Sequence, residues 1–100
     1  MRTIEIVSHC WATEHPHFAA ALTCQLSSLL LYKGDVDVTA TICCSSDDER
    51  TAEVASWFLN NTPLRIKLMV AATEKELGRR SIMRNQAATG TKADTVWFAD

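Results

Sequence analysis

Polar and charged residues follow each apolar segment of the chain, and their types suit a phosphorylated ligand. They are Ser8 and His9, Ser45 to Asp48, the arginines Arg79, Arg80 and Arg84, and finally Asp100. Arginine matches phosphate oxygens with its planar fork, while a carboxylate supplies hard oxygen ligands to Mg²⁺ or Mn²⁺. Cations and an acidic group in such positions indicate a site for a phosphorylated ligand together with a divalent metal.

The segments that would position these residues alternate between strand and helix patterns. Strands are predicted over Thr3–Ser8, Val36–Cys44, Arg65–Val70 and Thr95–Ala99. Apolar residues at three- and four-residue steps predict helices over Phe18–Tyr32, from Ser46 to Asn61, and over Ser81–Thr89. This alternation predicts an α/β, Rossmann-like fold: four mostly parallel strands in the order 3-2-1-4, with helices on both faces. Ligands of such open sheets bind outside the carboxyl ends of the strands, where the polar residues above are expected.

Local patterns add detail to these elements. Ser46 to Glu49 has the form of a capping box, in which Ser46 accepts a hydrogen bond from the amide of Glu49. The helix that follows is expected to turn Trp57 and Phe58 into the core. Arg65 and Lys67 suit an edge strand, whereas the apolar run from Thr95 to Ala99 is typical of a buried one.

Composition limits the class of protein. A chain of 100 residues, 47% apolar and with a net charge of −2, indicates one globular domain over residues 1–100 without a basic surface for nucleic acid. Its apolar runs fall short of the ~20 residues that span a bilayer. We therefore expect a cytoplasmic protein whose four cysteines are reduced.

Four side chains near the first strand are also of types that bind zinc. They are His9, Cys10, His15 and His17, but their spacing matches no closed four-ligand pattern. We interpret the stretch around His15 as a helix start and Cys43–Cys44 as apolar residues that finish a strand. Trp11, in a loop at the expected crevice, is a candidate for stacking on a nucleotide base.

The last quarter of the chain resembles a known family. The stretch LGRRSIMRNQAATGTKADTVWFAD, from Leu77 to Asp100, is similar to the part of family 2 glycosyltransferases that leads into their DxD motif. Arg84-Asn85 stands at the family's Arg-Asn position, and Asp100 at the first aspartate of the motif. The first strand and the segment Glu49–Phe58 resemble the family more loosely.

The resemblance implies the nucleotide-sugar-binding half of a GT-A-like, metal-dependent transferase. By position, His9, Cys10 and Trp11 would lie by the base. Ser45 and Asp47 would follow the second strand, where the family contacts base or ribose. The family's loop arginine corresponds to Arg80 or Arg84, near the diphosphate, and Asp100 would bind Mn²⁺ or Mg²⁺.

Two departures from the family pattern shape the expectation. Cys44 and Ser45 stand where the family often has two aspartates, which leaves open whether Asp47 or Asp48 meets the base. The sequence also stops at Asp100, before the second aspartate and the general base, so we expect these 100 residues to be inactive as a transferase. Apolar surface left uncovered would favour a homodimer. The alternative is a stand-alone Rossmann-like binding or interaction module without catalysis.

Overall fold

Seven secondary-structure elements form the part of the chain that the computed structural model describes, residues 2–71 and 80–99. The side chains of Arg80, Ser81, Ile82 and Arg84 are outside this description. The elements are β1 (Thr3–His9), α1 (His17–Tyr32), β2 (Asp37–Ser45), α2 (Glu49–Asn61), β3 (Arg65–Ala71), α3 (Arg80–Gly90) and β4 (Thr95–Phe98). The predicted alternation of strands and helices is confirmed, with ends that differ by one to three residues.

The four strands form one sheet in the order β3-β2-β1-β4, and each neighbouring pair is parallel. Thr3 pairs with Asp37, and Ile4 pairs with Thr95, so β1 lies between β2 and β4. The predicted Rossmann-like order 3-2-1-4 is therefore confirmed. Gly34, at φ +61°, adopts the left-handed conformation expected where the chain leaves α1.

Helices cover both faces of the sheet. On one face α1 and α2 pack Leu22, Leu26 and Phe58 against Ala40 and Ile42 of β2. On the other face α3 packs Met83 and Ala87 against the opposite side of β1 and β2. Because β2 is covered on both sides, its threonine Thr41 is as completely buried as its neighbour Ile42.

Two expectations about burial were wrong. The apolar strand β4 is an edge strand, and Trp97 and Phe98 are 61% and 38% exposed. Trp57, which was expected in the core, is 58% exposed on α2, whereas its neighbour Phe58 is buried. An apolar run indicates that its side chains favour burial. Whether they are buried depends on which neighbouring elements cover them.

The opposite edge of the sheet matches its prediction. β3 exposes Arg65 and Lys67, and Arg65 forms a 3.1 Å ion pair with Asp37 of β2. Within residues 2–71 and 80–99, none of the helices combines the length and the apolar character needed to cross a membrane.

Candidate functional site

The strand order changes direction at β1, and a cavity lies at this point. Along the chain, β2 and β3 follow on one side of β1, whereas β4 lies on the other side. The position between β1 and β4 is therefore a topological switch point. The cavity is about 320 Å³ and lies beside the carboxyl end of β1. Its lining comprises Ser8, His9, Cys10, Trp11, Phe18, Ala21, Leu22, Gln25 and Ala99. Apolar walls with a few polar groups are typical of small-molecule sites.

A second, smaller cavity lies on the other side of the loop that follows β1. It is about 90 Å³ and is lined by Trp11, Thr13, Glu14, Ser45, Asp47 and Asp48. Trp11 lines both cavities and is half-buried between them. Of the predicted site residues, the structure thus brings His9, Cys10 and Trp11 together at one cavity, and Trp11, Ser45 and Asp47 at the adjacent one.

Asp48 ties the loop after β1 to the start of α2. Its Oδ1 atom accepts hydrogen bonds from the Thr13 amide at 3.2 Å, the Thr13 hydroxyl at 2.7 Å and the Thr51 amide at 3.1 Å. Its Oδ2 atom accepts from the Thr51 hydroxyl at 2.6 Å. The Thr51 hydroxyl in turn accepts from the amide of Ala12 at 3.2 Å. These bonds hold the backbone on the carboxyl side of Trp11 in one place.

This arrangement corrects the predicted helix cap. α2 is capped by Asp48, and its side chain accepts from the amide three residues on, whereas Ser46 was expected in that role. The amide of Glu49, which the capping box assigned to Ser46, donates to the carbonyl of Asp47 at 3.1 Å. An aspartate cap also supplies the negative charge that a helix N-terminus favours.

The hydrogen bonds decide the charge of Asp48. Burial raises the pKa of the carboxyl group, but hydrogen bonds from Thr51 and Thr13 oppose it and leave the pKa below the ordinary value. Asp48 is therefore a buried carboxylate, 4% exposed, whose acceptors are engaged by its own chain. Such a carboxylate stabilises the loop and has little remaining capacity to accept hydrogen bonds from a ligand.

Asp47 has the opposite character. Its side chain is exposed at the small cavity, and its Oδ1 atom accepts a 2.6 Å hydrogen bond from the Ser45 hydroxyl. The sequence left open which of the two aspartates faces a ligand. Since Asp48 is occupied by four donors, Asp47 is the better candidate.

The thiols beside the site are poor nucleophiles. Burial raises the pKa of Cys10, and the nearby Asp48 charge adds to this effect, although a hydrogen bond with Thr51 opposes it. Burial, followed by the charges of Asp48, Cys10 and Cys43, raises the pKa of Cys44 to about 11. A thiol attacks as its thiolate, so these environments do not favour cysteine chemistry.

The side chains of the remaining predicted site residues are not among those that the structure describes. Arg80 and Arg84 lie in the first half of α3, as their backbone shows, but their side chains are outside the described set. Asp100 lies outside the described residues altogether. The role of each in binding stays a prediction.

A metal centre is not assembled by the side chains that the structure describes. Across residues 2–71 and 80–99, no three or more His, Cys, Asp or Glu residues come together in a way that could hold an ion. The described acidic residue best placed at the small cavity, Asp47, would be a single ligand. The predicted divalent metal therefore depends on Asp100.

Comparison with known proteins shows no family for this chain. No protein-family model, curated protein or solved structure matches the chain. What the structure establishes is a small α/β domain with a parallel four-strand sheet, and any activity has to be argued from the crevice.

Sequence reasoning missed the two threonines that organise the crevice. Thr51 is completely buried, and Thr13 bonds to Asp48 across 35 positions of the chain. A signal for Thr51 was available, because Asp48-x-x-Thr51 places a hydroxyl within reach of an aspartate cap. No sequence pattern indicated Thr13, since its contact is long-range.

Proposed function

We propose that this domain binds a nucleoside diphosphate sugar and forms the donor-binding part of a glycosyltransferase. The observation that carries the proposal is the 320 Å³ cavity at the switch point between β1 and β4, lined by Trp11. Open parallel sheets bind ligands at this position, and a volume near 300 Å³ is at the lower end of the range for small-molecule pockets. The resemblance of the Leu77–Asp100 stretch to family 2 glycosyltransferases supplies the ligand class.

Each described group has a role in this proposal. Trp11 stacks on the base, because an indole offers a large flat surface at low conformational cost. The exposed carboxylate of Asp47 accepts hydrogen bonds from the base or ribose, and Ser45 orients it through their 2.6 Å contact. Asp48 acts indirectly, by holding Thr13 and therefore the loop that carries Trp11.

The diphosphate is assigned to the residues that the resemblance names. Arg80 or Arg84 would approach its oxygens from α3, and Asp100 would bind a divalent cation beside it. When bound, that cation supplies positive charge that neutralises the diphosphate leaving group. We assign the base that activates the acceptor hydroxyl to none of the described side chains, and we propose that these 100 residues bind donor without transferring it.

Calorimetric titration with a panel of nucleoside diphosphates tests the proposal. With Mn²⁺ present, we expect one member of the uridine, guanosine, adenosine, cytidine and thymidine series to bind with a Kd of roughly 0.1–1 mM. Removal of Mn²⁺ should weaken binding. No heat for any nucleotide, from a sample whose circular dichroism shows it folded, would contradict the proposal and favour the non-catalytic module.

Matched variants localise the binding. Trp11→Ala should weaken binding at least fivefold, because base–aromatic stacking is worth about 1–3 kcal/mol, whereas Trp57→Ala, at an exposed tryptophan of α2, should not. Asp100→Ala and Arg84→Ala should weaken binding as well. Asp35→Ala and Arg2→Ala, at exposed positions that line neither cavity, remove the same charges as controls.

A further inference from the structure

Helix α1 presents an uncharged surface that is unusual for a chain of this composition. The eighteen residues from His15 to Tyr32 contain no Asp, Glu, Lys or Arg, although 22% of the whole chain is charged. At that frequency about four charges would be expected in this stretch. The solvent-facing side of a surface helix normally carries them.

Five of the exposed residues of α1 form one continuous stripe. His17, Ala21, Cys24, Ser28 and Tyr32 follow one another at three- and four-residue steps, and all five are exposed. We call this stripe the open face of α1. It points away from the buried residues Ala19, Leu22 and Leu26, and its central members are small.

The open face borders an apolar groove on the β4 side of the helix. This groove, about 360 Å³, is lined by Ser28, Leu29 and Tyr32 of α1 together with Trp97 of β4, over a floor that includes Ile4 and Ile6. Tyr32 is 82% exposed and Trp97 is 61% exposed. Exposed aromatic side chains and an apolar groove therefore lie side by side on one surface.

We infer that the open face of α1 is a homodimer interface, in which α1 packs antiparallel against α1 of a second copy across a twofold axis near Cys24. A twofold interface brings a surface against itself, so a charge near the axis would lie close to the same charge of the second copy. The open face carries none. A surface that combines exposed aromatics with an adjacent apolar groove is suited to its own copy, since Lys33 is the one charged residue among those that line the groove.

The spacing of the stripe fits antiparallel packing. The midpoint of His17–Tyr32 lies between Cys24 and Gln25, so an axis there places Ala21 opposite Ser28 of the second copy and His17 opposite Tyr32. Small residues at the centre allow the helix axes to approach to about 8 Å, the close end of the usual range.

The available area approaches that of the smaller stable dimers. Tyr and Trp side chains each carry ~150–250 Å² of surface, so the exposed parts of Tyr32 and Trp97 contribute roughly 600 Å² over two copies. The rest of the open face and Leu31, 74% exposed, extend this toward the ~1,200 Å² of the smaller stable interfaces.

Light scattering after size exclusion, over a concentration series, tests the inference. We expect twice the 11.1 kDa chain mass at high concentration, and a single-chain mass for Ser28→Arg. Ser56→Arg makes the same change on an exposed position of α2 and should leave the dimer intact. The double variant Ala21→Glu/Ser28→Arg should restore the dimer, because each glutamate then faces an arginine of the second copy.

Cys24 offers an independent readout of the axis. A short bismaleimide, which adds one thiol across each of its two double bonds, should join two copies covalently, and Cys24→Ser should lose this product while keeping the dimer mass. A single-chain mass at every concentration would overturn the inference. So would a dimer that survives Ser28→Arg, or one that the bismaleimide does not join. Cys24 and Ser28 do not line the proposed nucleotide cavity, so the outcomes for Ser28→Arg and for the cross-link are independent of nucleotide binding, whereas Ala21 lines that cavity.

Discussion

The hydroxyl of Thr51 donates a 2.6 Å hydrogen bond to the Oδ2 atom of Asp48, and both residues are buried. The same hydroxyl accepts from the Ala12 amide, so one threonine on α2 fixes both the helix cap and the loop after β1. This contact connects the fold to the candidate site, because Trp11 is held in the crevice by that loop.

Replacing Thr51 by valine should therefore destabilise the protein by about 1–3 kcal/mol, since it leaves a buried carboxylate oxygen and a buried amide short of a partner. Urea unfolding followed by circular dichroism measures the change. Thr23→Val makes the same substitution at an exposed position of α1 and should cost less than about 0.5 kcal/mol. Equal losses in the two variants would contradict the role given to Thr51.

Stability should depend on pH through Asp48. Because its folded-state pKa lies below the ~3.9 of an unfolded aspartate, the ionised group stabilises the fold above about pH 4. That contribution is lost as the pH falls through the folded-state value. The free energy of unfolding of the wild type should thus exceed that of Asp48→Asn at pH 7, and the two should converge toward pH 2–3.

The matched control for this titration is Asp35→Asn, which removes one negative charge from an exposed turn. A difference between wild type and Asp48→Asn that stays constant from pH 7 to pH 2–3 would show that the charge of Asp48 does not matter to folding.

Thiol reactivity should separate Cys24 from the other three cysteines. Cys10, Cys43 and Cys44 are buried, and the pKa values of Cys10 and Cys44 are raised, whereas Cys24 is exposed. A disulfide reagent such as dithiobis(2-nitrobenzoate) should react rapidly with one thiol at pH 8, at a dilution that leaves the protein monomeric. All four should react in denaturant. Rapid reaction of two or more thiols in the folded protein would contradict the burial described here.

The sheet order could be predicted from sequence because it follows from local patterns and one general rule. Alternating strands and helices at this spacing leave few arrangements once crossovers are right-handed, and Arg65 and Lys67 marked β3 as an edge. Trp11 and Asp47 could likewise be placed at the carboxyl edge because they follow strands, and Ser45 because it ends one.

The helix cap could not be predicted, because two caps overlap in the sequence. Ser46-x-x-Glu49 and Asp48-x-x-Thr51 both have suitable spacing. The structure uses Asp48, whose carboxylate gains the additional hydrogen bonds from Thr13, a partner 35 residues away. A long-range contact of this kind leaves no trace in a local pattern.

The predictions that β4 and Trp57 are buried were wrong for a related reason. Hydrophobicity predicted that Trp57 and Trp97 favour a covered position, but coverage depends on which elements lie beside them. Trp97 lies on an edge strand, and Trp57 lies beside Phe58, which takes the inward position on α2.

The central claim, that a nucleoside diphosphate binds at the carboxyl edge of the sheet, is tested most directly by nuclear magnetic resonance. A ¹H–¹⁵N correlation spectrum would be recorded while each nucleoside diphosphate is added with Mg²⁺, which avoids the line broadening of Mn²⁺. We predict shifts of the Trp11 indole and of amides in residues 9–13 and 45–48, with no change at Trp57 or at Asp35. An unchanged spectrum at millimolar nucleotide, or shifts confined to residues away from the two cavities, would contradict the account.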